Sequence, residues 1–434
     1  MFHSIAICSP RVATLTPIHA HRDPRRRATG LLLLVGLAAV FAFAGCSAGA
    51  GAPSTGAPLA TTSAPMAGES SSGATASSTT IPTATPAPTP APGPAGFSAT
   101  GSMAGPRWGQ TATLLHDGRV LIAGGESNTA LIASAELYDP ATGKFSATGS
   151  MLVPRIGDTA ALLADGRVLF AGGQSSASSQ TYTPSAEIYD PATGKFSPTG
   201  SMAHPRYGAT ATLLHDGRVL IAGTLIFAVG VKGDSAELFD PASGKFSPTG
   251  SMSTARYNHT ATLLPDGRVL IAGGEHAGVV ASADLYDPAT GKFTPTGSMA
   301  IPRTTQTATL LPNGRVLVAG GQNGGYKTIA SAELYDPASG KFSPTGSMAQ
   351  VRDSQSATLL ADGRVLIAGG VNNSAQSLAS VEIYDPATAA FSPAGSMAVA
   401  VYAHTATLLS DGSVLIAGGL NDSGAYATAE LWRP

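Results

Sequence analysis

A Gly-Ser-Met triplet recurs seven times in this chain, ending at Met103, Met151, Met202, Met252, Met299, Met348 and Met397. Successive copies lie 47 to 51 residues apart. Length alone would divide 434 residues into two or three domains. A period near 50 overrides that division, because repeated units that cannot bury their own apolar faces stack into one continuous core. Abundant Gly (52) and Pro (31) favour turn-rich β-structure over helices.

The copy that begins at Thr111 shows the unit. Thr111-Ala112-Thr113-Leu114-Leu115 is a short strand (a), followed by Asp117-Gly118, a pair suited to a two-residue hairpin turn with positive φ. Val120-Leu121-Ile122-Ala123 is a second strand (b), apolar throughout and so expected to be buried on both faces. Gly124-Gly125 ends it where a missing Cβ permits close approach. Ala135-Glu136-Leu137-Tyr138 alternates as strand c, Asp139 to Lys144 turns, and Phe145-Ser146-Ala147-Thr148 opens strand d.

A Gly-Gly pair after an apolar strand, then Glu-x-Tyr-Asp-Pro, then an aromatic, resembles the kelch motif, over residues 97–434. The usual Trp of strand d is Phe here (Phe145, Phe196, Phe246, Phe293, Phe342, Phe391), and the third copy has Gly223-Thr224 in place of Gly-Gly. The resemblance implies an all-β, seven-bladed kelch-type β-propeller with four antiparallel strands per blade. The repeat region starts on a d-type strand, Phe97-Ser98-Ala99-Thr100, and stops after a c-type strand, Ala429-Glu430-Leu431-Trp432. The N-terminal d strand is therefore expected to complete the last blade, leaving no ragged sheet edge.

Residues 1–45 read as a signal peptide, with Arg22, Arg25, Arg26 and Arg27 before the apolar run Leu31 to Gly45. The run is short for a bilayer span. Phe43-Ala44-Gly45-Cys46 resembles a bacterial lipobox, which implies lipidation of Cys46 and a membrane-anchored lipoprotein of the bacterial cell envelope. Residues 46–96 read as the lipidated Cys and a disordered Ser/Thr/Ala/Pro-rich linker, too poor in large apolar side chains to fold. The other cysteine, Cys8, would leave with the leader.

Antiparallel strands put the d–a and b–c loops on one face and the a–b and c–d turns on the other. The second face repeats Asp-Gly-Arg almost unchanged, whereas the b–c loops differ from copy to copy, which makes the uneven face the candidate for ligand contact. Four residues after each Met stands Arg107, Arg155, Arg206, Arg256, Arg303 or Arg352, with Val401 in the seventh copy. Strand c carries Glu136, Glu187, Glu237, Asp284, Glu333, Glu382 and Glu430. Structural ion pairing is one reading; a basic collar for an anionic ligand is the other. Just past the arginines come Trp108, Tyr207, Tyr257 and Tyr402, then Gln110, Asp158, His259, Gln306, Gln355 and His404, all entering strand a near the axis. Aromatic plates beside amides suit a sugar or peptide, and packing at blade junctions is the alternative.

His259 and His404 fall in copies four and seven, too far around a ring of seven to share one zinc, so no metal and no cofactor are expected. Copper radical oxidases on this fold need a Cys bonded to a Tyr, and residues 97–434 contain no Cys. No catalytic residue is assigned. A formal charge of −2 gives no basic face for nucleic acid. The expected role is a monomeric binding module for a glycan, peptide or protein; the alternative is a mutarotase- or epimerase-like sugar enzyme with a pocket at the mouth of the central channel.

Overall fold

A computed structural model describes residues 96–177, 181–225 and 232–434. Seven four-stranded antiparallel sheets account for the repeats. In blade 1, strand a is Thr111–Leu114, b Val120–Ala123, c Ser134–Asp139 and d Lys144–Ser150. Each strand a approaches the strands a of both neighbouring blades, so these short, small-residue segments form the inner ring. The domain is a seven-bladed propeller. Its last blade has the order Gly96–Ala99, Ala429–Arg433, Val414–Ala417, Thr405–Leu408, with Phe97 opposite Trp432. The opening strand thus seals the closing blade, starting one residue earlier than the sequence motif suggested.

Why strand b is apolar on both sides follows from its place. Val120 and Ile122 pack with Leu409 and Leu415 of blade 7, while Leu121 and Ala123 pack with Val168 and Phe170 of blade 2. All four residues of b are buried in every blade. Each such Val, Leu or Ile contributes about 1.5–3 kcal/mol. Further out, the Tyr138 ring packs on Phe145 with centroids 4.9 Å apart, and its hydroxyl meets Thr100 Oγ1 at 2.8 Å, pinning blade 1 to the closing strand.

The a–b connection differs from the two-residue turn expected. Leu115 N donates to Arg119 O at 2.8 Å and Gly118 N to Leu115 O at 3.0 Å, which makes a three-residue loop with a glycine bulge. Only Gly118 has positive φ (84°); Asp117 instead uses its carboxylate to accept from Arg119 N at 3.0 Å. The b–c loops also contain short ribbons that the repeat pattern did not announce, at Gln174–Ser176 with Thr181–Tyr182 and at Leu420–Asn421 with Gly424–Ala425.

Candidate functional site

The antiparallel order places the d–a and b–c loops together, and the two are stitched within each blade. Trp108 pairs with Glu126, Ile156 with Gln174, Tyr257 with Glu275, Thr304 with Gln322, Asp353 with Val371 and Tyr402 with Leu420. Gly-Gly makes this approach possible: a Cβ on Gly125 would stand 2.6 Å from Trp108 O. The aligned loops form the uneven face.

Beneath that face lie the arginines. Arg155 is fully buried (0% exposed). It donates through Nη1 to Gly172 O (2.6 Å) and Ser185 O (3.0 Å), and through Nη2 to Ser185 Oγ (2.7 Å) and Glu187 Oε1 (2.9 Å). The second Glu187 oxygen accepts from Leu152 N at 2.6 Å. Arg107, Arg206, Arg256, Arg303 and Arg352 repeat the pattern with their own acid at 2.7–3.1 Å. Each guanidinium is a spoke tying the d–a loop to the end of strand b and to strand c of its own blade. In blade 7, Val401 packs with Met397 and Ile416 instead, and Glu430 accepts only from Ala398 N, at 3.0 Å.

Three positions beyond each arginine, the side chain turns toward the preceding blade. Gln110 Nε2 donates to Ala417 O (2.8 Å), Gln306 Nε2 to Ala272 O (2.9 Å) and Gln355 Nε2 to Ala319 O (2.9 Å). His259 Nε2 meets Thr210 Oγ1 at 3.0 Å, and His404 Nε2 meets Ser356 Oγ at 2.9 Å. All five are buried. They hold neighbouring blades together at the axis. Burial keeps the imidazoles neutral: His259 is pushed down to about 3, with Arg256 adding to the effect, and His404 to about 4. Asp158 is the exception: both carboxylate oxygens are buried without a hydrogen-bond partner. Burial raises it to about 7, and Arg155 only partly opposes this.

Between the arginines and these residues runs a ring of seven left-handed residues: Gly109, Gly157, Gly208, Asn258, Thr305, Ser354 and Ala403, with φ of 50–65°. Their amides form a chain around the axis, for example Gly109 N to Ala403 O (3.0 Å), Ala403 N to Ser354 O (3.1 Å) and Asn258 N to Gly208 O (3.0 Å). Four non-glycine residues in this conformation mean strain held by the ring.

The aromatic positions separate. Tyr257 is buried, and its phenol lies near the Glu275 carboxylate, as does that of Tyr326 from the next blade; burial raises both phenols, reinforced by that carboxylate. Tyr207 stands edge-on to Tyr182 at 5.5 Å and is pushed up to about 12 by burial. Trp108 and Tyr402 remain half-buried at the surface of the face. Sequence reasoning missed Glu275, Tyr326 and Tyr182; the residue immediately after Gly-Gly was the available signal for Glu275. It also missed an open cleft of about 220 Å³ between the b–c loops of blades 6 and 7, lined by Gln376, Ser377, Ala400, Asn421, Asp422 and Ser423. Ser377 Oγ is buried there without a partner. Asp422 lies close enough to act on the Tyr402 phenol.

With this geometry in view, the model for the kelch motif matches residues 303–349 and 354–398, which hold all the strands of blades 5 and 6. The domain is a seven-bladed propeller with kelch motifs. Among solved structures it is similar to a fungal alcohol oxidase of the AA5 family in complex with copper, at 18% identity and a TM-score of 0.66. The match covers 78% of this chain and 76% of that one, and at such identity the likeness is one of fold. No curated protein matches the chain. The kelch domain's own donors do not fit a copper site. His259 and His404 serve different blade junctions, and no group of three or more His, Cys, Asp or Glu is placed to hold a metal among the described residues. Cys46 and the leader lie outside the described residues.

Proposed function

We propose that this kelch propeller is a binding module whose working surface is the d–a and b–c face, with the cleft between blades 6 and 7 as its ligand seat. One observation carries the reading: that cleft gathers two amides, two hydroxyls and one carboxylate on loops that differ from their counterparts, including a buried Ser377 hydroxyl with no internal partner. The lining holds no basic side chain and only Ala400 as an apolar wall, which suits a hydroxyl-rich glycan or a polar peptide segment better than an anion or a lipid. Half-buried Tyr402 offers a ring at its edge. Tethering through a lipid on Cys46 belongs to the same proposal and places the face away from a membrane on the Pro-rich segment.

The sugar-enzyme alternative needs free polar groups at the channel mouth. Gln110, His259, Gln306, Gln355 and His404 each spend one side-chain nitrogen on an interblade bond, and the glutamine oxygens and histidine Nδ1 atoms that have no partner are buried away from solvent, which favours the binding reading.

Glycan and peptide arrays, followed by calorimetry on the best ligand, test this. Asp422→Ala with Ser377→Ala is expected to weaken binding at least about tenfold, the equivalent of one or two lost hydrogen bonds. Asp362→Ala on the opposite face is expected to leave it unchanged. The reverse pattern, or aldose turnover abolished by His259→Gln, would overturn the assignment.

A further inference from the structure

At six of seven blade junctions the inner ring can be compared directly with the junction between blades 1 and 2, and that junction is built differently. Five blades place a glutamine or histidine against the preceding blade, where it meets a strand-end carbonyl or a hydroxyl. Blade 3 has Ala209, with no side chain to contribute. Blade 2 has Asp158, whose two oxygens are shielded from solvent and bond to no other residue, its own amide being the one backbone group that acts on the carboxyl, although the residue as a whole is only part-buried. The backbone chain around the axis fails at the same place. Gly208 N reaches Gly157 O at 3.2 Å and Gly109 N reaches Ala403 O at 3.0 Å, but no bond links Gly157 N to Gly109 O.

An ionised carboxylate only accepts hydrogen bonds, so it cannot serve the strand-end carbonyl that Gln306 and Gln355 serve elsewhere. A protonated one gains an O–H and becomes a donor like its counterparts. By the register of the repeat, the acceptors across this junction are the Ala123 carbonyl and the Thr111 hydroxyl, which already meet each other at 3.4 Å. They correspond to Ala272 and Thr210 at other junctions. We propose that the junction between blades 1 and 2 is a proton-operated latch, closed when Asp158 carries its proton and loosened when the carboxyl ionises. Loosening would act beside Trp108, at the one break in the ring that frames the channel mouth.

The charged groups acting on Asp158 are Arg155, which lowers it, and Glu187, which raises it more weakly; both belong to blade 2 and are paired to each other at 2.9 Å. Across the junction, Thr111 and Ala123 carry no titratable group. With burial as the main cause, the carboxyl sits near 7 in the folded chain against an ordinary 3.8. For an acid raised on folding, the stabilisation is complete below its unfolded value and fades as pH rises through the folded one.

The test compares the full chain with Asp158→Asn, which keeps the shape and always donates. Asp158→Asn is expected to be the more stable at both pH values, and its advantage in melting temperature to grow by about 4 °C between pH 5 and pH 8, because the unfolded carboxyl is already ionised at pH 5. Taking the difference removes the contributions of the histidines. Amide exchange in Thr159–Leu162 should slow in the variant by a larger factor at pH 8 than at pH 5. Should Asp158→Asn not fold, Asp158→Gln, the residue of three other blades, serves the same comparison, and carboxyl ¹³C NMR of the unmodified chain gives the titration midpoint directly. A midpoint below 5, or a difference that does not change with pH, overturns the proposal. So does wild type being the more stable at pH 8, which would mean that the ionised form has a partner such as a bound cation.

Discussion

Replacing Arg155 with alanine is expected to destabilise the domain by about 3–5 kcal/mol, because it strands a buried carboxylate. The guanidinium is fully buried and donates to Gly172 O, Ser185 O, Ser185 Oγ and Glu187 Oε1. Truncation leaves Glu187 in the interior with only the Leu152 and Val153 amides (2.6 and 3.2 Å) for company. It also leaves the Gly172 carbonyl without its donor, which adds to the cost, whereas Ser185 O keeps the Gly172 amide at 3.1 Å. The control is a few residues away in sequence. Arg167 pairs with Asp165 at 2.6 Å, but the two side chains are 39% and 47% exposed. Solvent screens that pair, so Arg167→Ala is expected to cost under about 1 kcal/mol. Urea unfolding monitored by tryptophan fluorescence separates the two, and equal losses would contradict the spoke role. Blade 7 does without the spoke: Val401 packs into the apolar cluster of Met397, Val399 and Ile416, and Glu430 there keeps the Ala398 amide.

A second large effect concerns acid. His259 and His404 are buried neutral at about 3 and 4, whereas an unfolded histidine titrates near 6.5. Each therefore has its folded pKa lowered, and the unfolded chain binds more protons as pH falls below 6.5. Linkage makes this a loss of about 2 kcal/mol of stability per histidine at pH 5 relative to pH 8. Glutamine stands at the same position in blades 1, 5 and 6, where it closes the junction on the strand-end carbonyl instead of the hydroxyl. The double change His259→Gln and His404→Gln is thus expected to be near neutral at pH 8 and to stabilise by about 4 kcal/mol at pH 5. A variant that loses stability equally at both pH values would show that the imidazoles do something an amide cannot.

How far the sequence carries this account depends on whether the partner lies inside the repeat. The Met spacing, the apolar strand b and the unmatched d and c strands at the two ends are local signals, and they specify the sealed ring. The arginines and strand-c acids are also visible, because both members of a pair belong to one copy. Gln110, His259, Gln306, Gln355 and His404 are different. Their partners sit in the preceding copy, and nothing in the spacing says toward which side of an inner strand a side chain points. They were therefore legible as polar residues near the axis but not as links between blades. Tyr257 was legible as an aromatic, yet Glu275 and Tyr326 come from two different loops that only the ring brings together. The cleft at Ser377 and Asp422 belongs to the segments that vary most between copies, where repetition has nothing to teach. The a–b turn was misjudged by one residue because Asp-Gly serves both the two-residue hairpin and the three-residue loop with a glycine bulge.

Everything assigned to the uneven face depends on the ring being sealed by its first strand, and that seal can be measured. Ala99 stands opposite Glu430, and Thr100 N donates to Ala429 O, so Ala99 and Glu430 form a pair without mutual backbone hydrogen bonds. Such pairs bring Cα atoms to about 4.5 Å, within disulfide range. The sequence has only two cysteines, Cys8 and Cys46, and both can be changed to serine. In that background, Ala99→Cys with Glu430→Cys is expected to give a monomer with one internal disulfide under mild oxidation, identified by the mass of the linked peptide. Free thiols or disulfide-linked dimers would contradict a ring closed by residues 96–99.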